Sequence, residues 1–214
     1  MLLRCANIIM LKSRKLFFLT CLLAIYTFNN QLNAQHYIGR YEYLWAIFHP
    51  VAAFKIKAQL PKAMEIYKEV KQQGILDNYE SGGKLDAFRH TYVMAYLARK
   101  VKPKKLLKLG IAHEKDNKIQ FFKKQLEQGE RPDSLACEMD LRNNKLGVNL
   151  GLACSDCSDD SLKQYVLKHI NDGNAWYLKR NNLGQYVDCD GNVTDNEQFK
   201  VVWALPKCLI LTNQ

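Results

Sequence analysis

The chain has 214 residues, of which 48% are hydrophobic and 24% charged, and its formal net charge is +10. This length is enough for one domain with its own core, and the apolar content excludes a chain that is disordered throughout. Eleven glycines and five prolines exclude collagen-like and low-complexity sequences.

The first 34 residues have the composition of a secretory signal peptide. A basic cluster precedes the uncharged apolar run 16–28, and a short polar stretch then leads to the small residue Ala34. The apolar run is shorter than the roughly 20 residues that a membrane-spanning helix needs. We therefore expect cleavage and export to the periplasm or the medium, which leaves 35–214 as a single, mainly helical domain without a transmembrane span. An uncleaved anchor or a buried N-terminal helix is the alternative.

Removal of this segment takes away four basic residues and no acidic one, which lowers the formal charge from +10 to +6. A basic excess of this size suits an anionic envelope component such as phospholipid head groups or wall polymers, although many proteins with such a charge bind none. The densest basic stretch, 100–108, is by itself typical of a solvated start of a helix. No specific nucleic-acid signature is present.

Periodicity and breaker residues predict a succession of helices in the rest of the chain. Pro61 is predicted to open the first of them and Gly74 to close it. The following helices are predicted at about 84–100, 104–126, 134–153 and 159–173. Short aromatic and β-branched segments at 176–178, 185–187 and 200–203 favour strands. The predicted fold is mainly α, an orthogonal helical bundle with a small β or irregular C-terminal appendage.

The helix predicted at 84–100 is apolar nearly all round, which is typical of a buried helix. It nevertheless carries Asp86, Arg89 and His90 in its first two turns. Asp86 and His90 are four residues apart and therefore share one inward face. Because an isolated buried charge costs several kcal/mol, these groups are expected to be paired or to bind something.

The next two helices repeat this pattern of short polar side chains in an apolar context. The helix at 104–126 places Gly110, His113 and Asn117 on one stripe, with Glu114 beside it. The helix at 134–153 aligns Asp140, Asn144, Gly147 and Gly151, with Asn143 flanking. Glycines on such a stripe allow another helix, or a ligand, to approach the backbone closely.

These polar side chains are expected to converge on one inner pocket. Their carboxylate, imidazole and amide groups suit a divalent cation, or acid–base chemistry without one. The alternative is a buried structural network in which His and Asn bridge helices and Asp86 pairs with Arg89. A cation is thus a possible cofactor that the sequence does not identify.

Five cysteines follow residue 34, which allows at most two disulfides and one remaining thiol in an oxidising compartment. The pair Cys154 and Cys157 fits a structural disulfide or idle thiols better than a redox pair or half a zinc site. No thioredoxin-like βαβ pattern surrounds it, and thiolate zinc sites are unusual in exported proteins. The other cysteines are Cys137, Cys189 and Cys208.

The segments GGKLDAFRHTYVMAYLARK (82–100), IAHEK (111–115) and MDLRNNKLGVNLG (139–151) resemble three signatures of an uncharacterised bacterial domain family. This resemblance covers about 75–175 and implies an exported or toxin-associated protein. The family carries no settled activity, so the resemblance indicates where a site lies rather than what it does. The residues that it marks are Asp86, Arg89, His90, His113, Glu114, Asp140, Asn143 and Asn144.

These observations together favour a hydrolase-like domain that acts on an anionic or envelope-derived substrate or small molecule. His90 or His113 is expected to act as general base, and Asp86 or Glu114 to orient it. The expected substrate-binding residues are Arg89, Asn143 and Asn144, and the expected metal ligands are Asp140, His113 and Asp86. The alternative is a non-catalytic binding or structural protein, in which the polar side chains bridge helices and aromatic residues such as Tyr41, Trp45 and Trp176 make the contacts.

Overall fold

The computed structural model describes residues 38–127, 129–194 and 201–214, and the predicted signal peptide lies outside them. Gly39–Gln214 form a compact unit of their own. Its elements are α1 Arg40–Phe48, α2 Pro50–Gln73, α3 Lys84–Ala98, α4 Pro103–Phe122, α5 Ser134–Ala153, α6 Asp159–Asn171, β1 Trp176–Leu178 and β2 Leu209–Leu211. The predicted mainly α fold is confirmed. None of the helices in the described ranges combines the length and hydropathy that a membrane span requires.

The central helix is α3, which packs against α2, α5 and α6. Eleven of its fifteen residues are buried, as its nearly uniform apolar character predicts. Helix α5 approaches it along the predicted glycine stripe. A Cβ atom added at Gly147 would lie 2.2 Å from the carbonyl oxygen of Thr91, and one at Gly151 would lie 2.1 Å from that of Ala95. The stripe therefore accommodates a neighbouring helix, and it brings the polar residues of α3 and α5 face to face.

Hydrogen bonds of two side chains, Asp116 and Trp45, attach helix α1 to α4. The carboxylate of Asp116 accepts hydrogen bonds from the backbone N–H groups of Tyr41 and Glu42, both with distances of 3.0 Å to Oδ2. These groups have no partner within the helix, so Asp116 satisfies its N-terminus. The indole N–H of Trp45, which is buried, donates to the carbonyl oxygen of Lys105 over 3.1 Å.

The prediction that Pro61 opens a helix is wrong, because α2 begins at Pro50 and contains Pro61. A proline inside a helix removes one backbone hydrogen bond. The helix nevertheless continues, and its inner side remains packed through Ala63, Tyr67 and Val70, which are all buried. The first half of α2 escaped prediction because its outer side is apolar as well, so the sequence there shows no clear amphipathic stripe.

The small C-terminal sheet is present, but only one of its predicted strands is in the predicted place. Strand β1 pairs antiparallel with β2, with Tyr177 opposite Ile210. The strand predicted at 200–203 is wrong for 201–203, which form a turn and a bend. Residue 200 lies outside the described residues. The segment 185–187 contributes single bridges rather than a strand, through the pairs Arg180–Tyr186 and Val187–Val193.

Two disulfides stabilise the second half of the chain. Cys154 and Cys157 are joined at the C-terminal end of α5, and Cys189 is joined to Cys208 within the C-terminal segment. Cys137 is a free, buried thiol. The structure thus contains the two disulfides and the single thiol that the cysteine count allows.

Candidate functional site

A small cleft lies where the N-terminal end of α3 meets α5 and the loop 123–133. Its charged lining comes from Asp86, Arg89, Glu127, Glu130 and Asp140. Its free volume is about 10 Å³, which is roughly the space needed for one water molecule. The cleft thus accommodates a water molecule or a bare cation, and a larger ligand would bind at its mouth.

Asp86 and Arg89 form a tight ion pair on the first turns of α3. Oδ1 of Asp86 accepts from Nε of Arg89 at 3.0 Å and from Nη2 at 2.5 Å. Oδ2 accepts from the backbone N–H of Gly82 at 2.7 Å, in the turn that precedes the helix. Burial raises the pKa of Asp86, and the guanidinium opposes that shift. The pKa of Arg89 is raised despite its burial, because Asp86 and Asp140 lie nearby.

His90 directs its Nε2 atom towards two residues that line the cleft, Asp86 and Asp140. Its Nδ1 atom lies 3.2 Å from Oδ1 of Asn144, an oxygen that only accepts, so Nδ1 carries the proton. The lone pair on Nε2 is then free to accept from Nη2 of Arg89 at 3.0 Å. Burial and the adjacent Arg89 hold the pKa of His90 well below its usual 6.5, so the imidazole is neutral. A neutral imidazole with its lone pair on Nε2 is the form that accepts a proton or binds a metal.

Asp140 faces this imidazole from α5. Its Oδ1 atom is buried without a hydrogen bond from the described residues, and it lies 3.3 Å from Nε2 of His90. Burial and the neighbouring carboxyl groups raise the pKa of Asp140 well above its usual 3.8. Ligand atoms from Asp86, His90 and Asp140 all lie within 4.8 Å of one another, close enough for one cation to contact all three.

His113 lies between two carboxylates and outside this group of three among the described residues. Its Nδ1 atom lies 2.9 Å from Oε1 of Glu42 on α1, and its Nε2 atom lies 3.0 Å from Oε1 of Glu127. Carboxylates only accept, so both ring nitrogens donate and the imidazole is positively charged. Burial lowers the pKa of His113, but the two carboxylates outweigh it and hold that pKa well above 6.5. A charged imidazole cannot act as a general base, so of the two histidines predicted for that role only His90 has the required neutral form.

Glu114 lies behind the cleft, in a second buried cluster. Nδ2 of Asn117 donates to its Oε2 atom at 3.0 Å, and the thiol of Cys137 also interacts with it. Burial raises the pKa of Glu114 to about 7, against the opposing influence of the charged His113. Burial likewise raises the pKa of the Cys137 thiol, which is therefore uncharged at neutral pH.

The structure separates the predicted site residues into three groups. Asp86, Arg89 and Asp140 line the cleft, and His90 and Asn144 are connected to them, whereas His113 and Glu114 belong to the adjoining clusters described above. Asn143 faces the other way and forms two hydrogen bonds of 2.9 Å with the backbone of Trp176. Both ends of its amide are thereby used to fix β1 to α5, which leaves it no group for a substrate.

Sequence reasoning missed Glu127 and Glu130, which line the cleft from the loop between α4 and α5. Glu127 contacts His113, and Glu130 accepts from Arg180 at 2.9 Å and from the hydroxyl of Tyr186 at 2.6 Å. The remaining site residues were all identified from helical periodicity. Glu127 and Glu130 lie in an irregular loop, where no helical or strand period predicts the direction of a side chain. Their partners also lie far away in the sequence.

Comparison with known proteins identifies the family. Residues 43–174 match a family described as a domain of unknown function, DUF6973, and this match covers more than half of the chain. The chain therefore belongs to that family, which confirms the predicted membership of an uncharacterised domain family. No curated protein and no solved structure matches the chain.

Proposed function

We propose that this DUF6973 domain is an exported hydrolase whose cleft binds a divalent cation and acts on an anionic substrate. The observation that carries the proposal is the meeting of ligand atoms from Asp86, His90 and Asp140 within 4.8 Å of one another. Two carboxylates and one imidazole suit Mn²⁺ or Zn²⁺. The buried Oδ1 atom of Asp140, which accepts no hydrogen bond from a described residue, faces the imidazole across this space.

The charge balance of the region supports a cation. The interacting acidic groups of this region include Asp86, Glu114, Glu127 and Asp140. The cationic groups that oppose them are Arg89 and the charged His113. If these four acids were all ionised, they would outnumber the two bases by two. The pKa values of Asp86, Glu114 and Asp140 are raised, which reflects burial together with this shortage of positive charge. A divalent cation carries the charge that balances this excess, in a place where an uncompensated charge is costly.

Arg89 holds the position that the cation would take. Its Nη2 atom lies 2.5 Å from Oδ1 of Asp86 and 3.0 Å from Nε2 of His90, so it already satisfies two of the three ligand atoms. Cation binding would displace this contact and leave the guanidinium at the cleft to bind an anion such as a phosphodiester. Cation binding is therefore coupled to a movement of the Arg89 side chain.

The other residues of the cleft support this chemistry. A bound cation lowers the pKa of its water ligand, and Glu127 is the cleft carboxylate that would accept the proton. His113 holds Glu127 through Nε2, and Asn144 fixes the ring of His90 through Nδ1. The two disulfides are consistent with the export that the N-terminal sequence predicts, because disulfides persist in oxidising compartments.

Thermal melting with and without cations tests this proposal. We expect excess Mn²⁺ or Zn²⁺ to raise Tm, and a chelator to reverse the effect. A ligand at 100 times its Kd contributes about 2.7 kcal/mol, which corresponds to roughly 5–10 °C for a protein of this size. The same samples are assayed with a chromogenic phosphodiester, and Glu127→Gln should retain the Tm gain but lose hydrolysis. No Tm gain with either cation would contradict the proposal.

A second candidate is a non-catalytic protein in which these side chains only bridge helices. The observation that favours it is the cleft itself, which has room for about one water molecule and already pairs Asp86 with Arg89. In that case added cation does not change Tm, and neither the wild type nor Glu127→Gln hydrolyses the phosphodiester. The melting experiment therefore distinguishes the two candidates directly.

A further inference from the structure

The outer sides of α1 and α2, next to their junction at His49, are apolar and exposed. Phe48 is 75% exposed, Val51 67% and Phe54 56%. Leu44 and Ile47 on α1 are exposed as well. The spacing of three or four residues within each helix places these side chains on one side of it. We call these five residues the apolar face.

The apolar face is not needed for the core of the domain. The inner sides of the same helices supply Trp45 and Ala52, which are buried in a cluster with residues of α3, α4 and α5. Phe48, Val51 and Phe54 point away from that cluster and are largely exposed to solvent. A group of exposed apolar side chains this close together along the chain is typical of an interaction surface.

A basic segment contacts the two helices that carry the apolar face. Residues 99–108 include six lysines and arginines, and no Asp or Glu occurs from residue 87 to residue 113. Two hydrogen bonds attach this segment to the first two helices: Nζ of Lys55 donates to the carbonyl oxygen of Lys100 at 3.2 Å, and the indole of Trp45 donates to that of Lys105 at 3.1 Å. Residues 43–62 also lack acidic side chains and include three lysines.

We propose that the apolar face and this basic segment together dock the protein on an anionic lipid bilayer. A bilayer surface accepts apolar side chains at the boundary of head groups and acyl chains, and its anionic lipids attract lysines at the same depth. Both features are present here, and the stretches that carry them, 43–62 and 87–113, contain no Asp or Glu. This inference is independent of the cleft, because none of the residues that carry it lines the site.

Vesicle sedimentation tests the docking surface. The material is residues 35–214, which include the whole compact unit and omit the apolar run 16–28, so that this run cannot itself insert. We expect binding to vesicles with 30% phosphatidylglycerol or phosphatidylserine, much weaker binding to pure phosphatidylcholine, and release by high salt. Equal binding to both kinds of vesicle, or binding to neither, would overturn the proposal.

Two pairs of variants separate the apolar contribution from the charge. Phe48→Asn with Phe54→Asn should weaken binding to anionic vesicles at least tenfold, since two aromatic side chains that would enter the bilayer are lost. The matched control is Leu152→Asn with Leu183→Asn, which removes two apolar side chains that are 50% and 84% exposed elsewhere. Binding that falls equally in both pairs would contradict a specific docking face.

The charge variants follow the same design. Lys100→Gln with Lys104→Gln should weaken binding about fivefold for each lysine, since a lysine near an anionic surface contributes about that factor. Lys145→Gln with Lys179→Gln is the control, because both lysines are exposed and lie outside the basic segment. Size-exclusion chromatography completes the test. A dimer that the apolar variant dissociates, without vesicle binding by the wild type, would assign the apolar face to a second copy instead.

Discussion

Nε2 of His90 lies 3.3 Å from Oδ1 of Asp140, which accepts no hydrogen bond from the described residues. Because Nδ1 of His90 carries the ring proton, Nε2 presents a lone pair to a carboxylate oxygen. Two acceptors at this distance repel each other unless a proton or a cation lies between them. The guanidinium of Arg89, which donates to Nε2 at 3.0 Å, reduces this repulsion, and a proton on Asp140 or a bound cation would remove it. A proton corresponds to a structural network, and a cation corresponds to a metal site.

Asp140→Asn should change stability in opposite directions with and without a cation. Without one, the amide removes a carboxylate that repels its neighbours, so the free energy of unfolding should rise by about 1 kcal/mol. With Mn²⁺ or Zn²⁺ in excess, the variant should lack the Tm gain of the wild type. Urea unfolding and thermal melting measure both effects. The control is Glu138→Gln, an exposed carboxylate on the same helix that pairs with Arg142, and it should retain the full cation effect.

Arg89→Met should destabilise the protein and strengthen cation binding. The variant leaves the buried carboxylate of Asp86 without its guanidinium partner, which costs about 3–5 kcal/mol. It also removes the group that competes with the cation, so added Mn²⁺ should recover more stability than it gives the wild type. Isothermal titration and urea unfolding supply the two readouts. Arg142→Met, which breaks an exposed ion pair, is the control and should change neither quantity appreciably.

Much of the cleft was predictable from helical periodicity. The four-residue spacings of Asp86 with His90 and of Asp140 with Asn144 place each pair on one side of its helix. The glycine stripe predicted a close approach to α5, and the structure shows that α3 is the helix that fits there. These predictions succeed because the few polar residues of a buried apolar helix must contact polar groups of the helices packed around it.

The remaining features depend on contacts that no local pattern encodes. Glu127 reaches the cleft from an irregular loop, and its partner His113 lies 14 residues earlier in the chain. The charge of His113 depends on Glu42, which is separated from it by 71 residues. Strand β2 pairs with β1 across 33 residues, so its location at 209–211 follows from tertiary packing rather than from a turn.

Gly147→Ala should destabilise the contact between α3 and α5. The added Cβ would lie 2.2 Å from the backbone oxygen of Thr91, which cannot move without shifting the helix. Overpacking of this kind costs about 1–3 kcal/mol or more, and it would also shift His90, one residue before Thr91. Asn149→Ala, at an exposed position on α5, is the control. Urea unfolding measures the difference, and equal stability of the two variants would contradict the close helix contact.

The contact of His113 with Glu42 and Glu127 should make the free energy of unfolding depend on pH, with one decline at alkaline pH and another at acidic pH. The pKa of His113 is raised above 6.5, so its contribution is complete below pH 6.5 and is lost as the pH rises through the raised value. The pKa of Glu127 is lowered from 4.5, chiefly through His113, which overcomes the effect of burial. Its contribution is thus lost as the pH falls through the lowered value.

His113→Gln should remove this alkaline loss of stability and cost about 1–2 kcal/mol at pH 6, because two charge-assisted hydrogen bonds disappear. Urea unfolding at a series of pH values from 4 to 10 provides the measurement. His169→Gln, at a half-buried histidine on α6 that forms no hydrogen bond with a carboxylate of the described residues, is the control and should follow the wild-type profile. An alkaline decline that persists in His113→Gln would show that another group is responsible, and the imidazole would then not be charged between its two carboxylates.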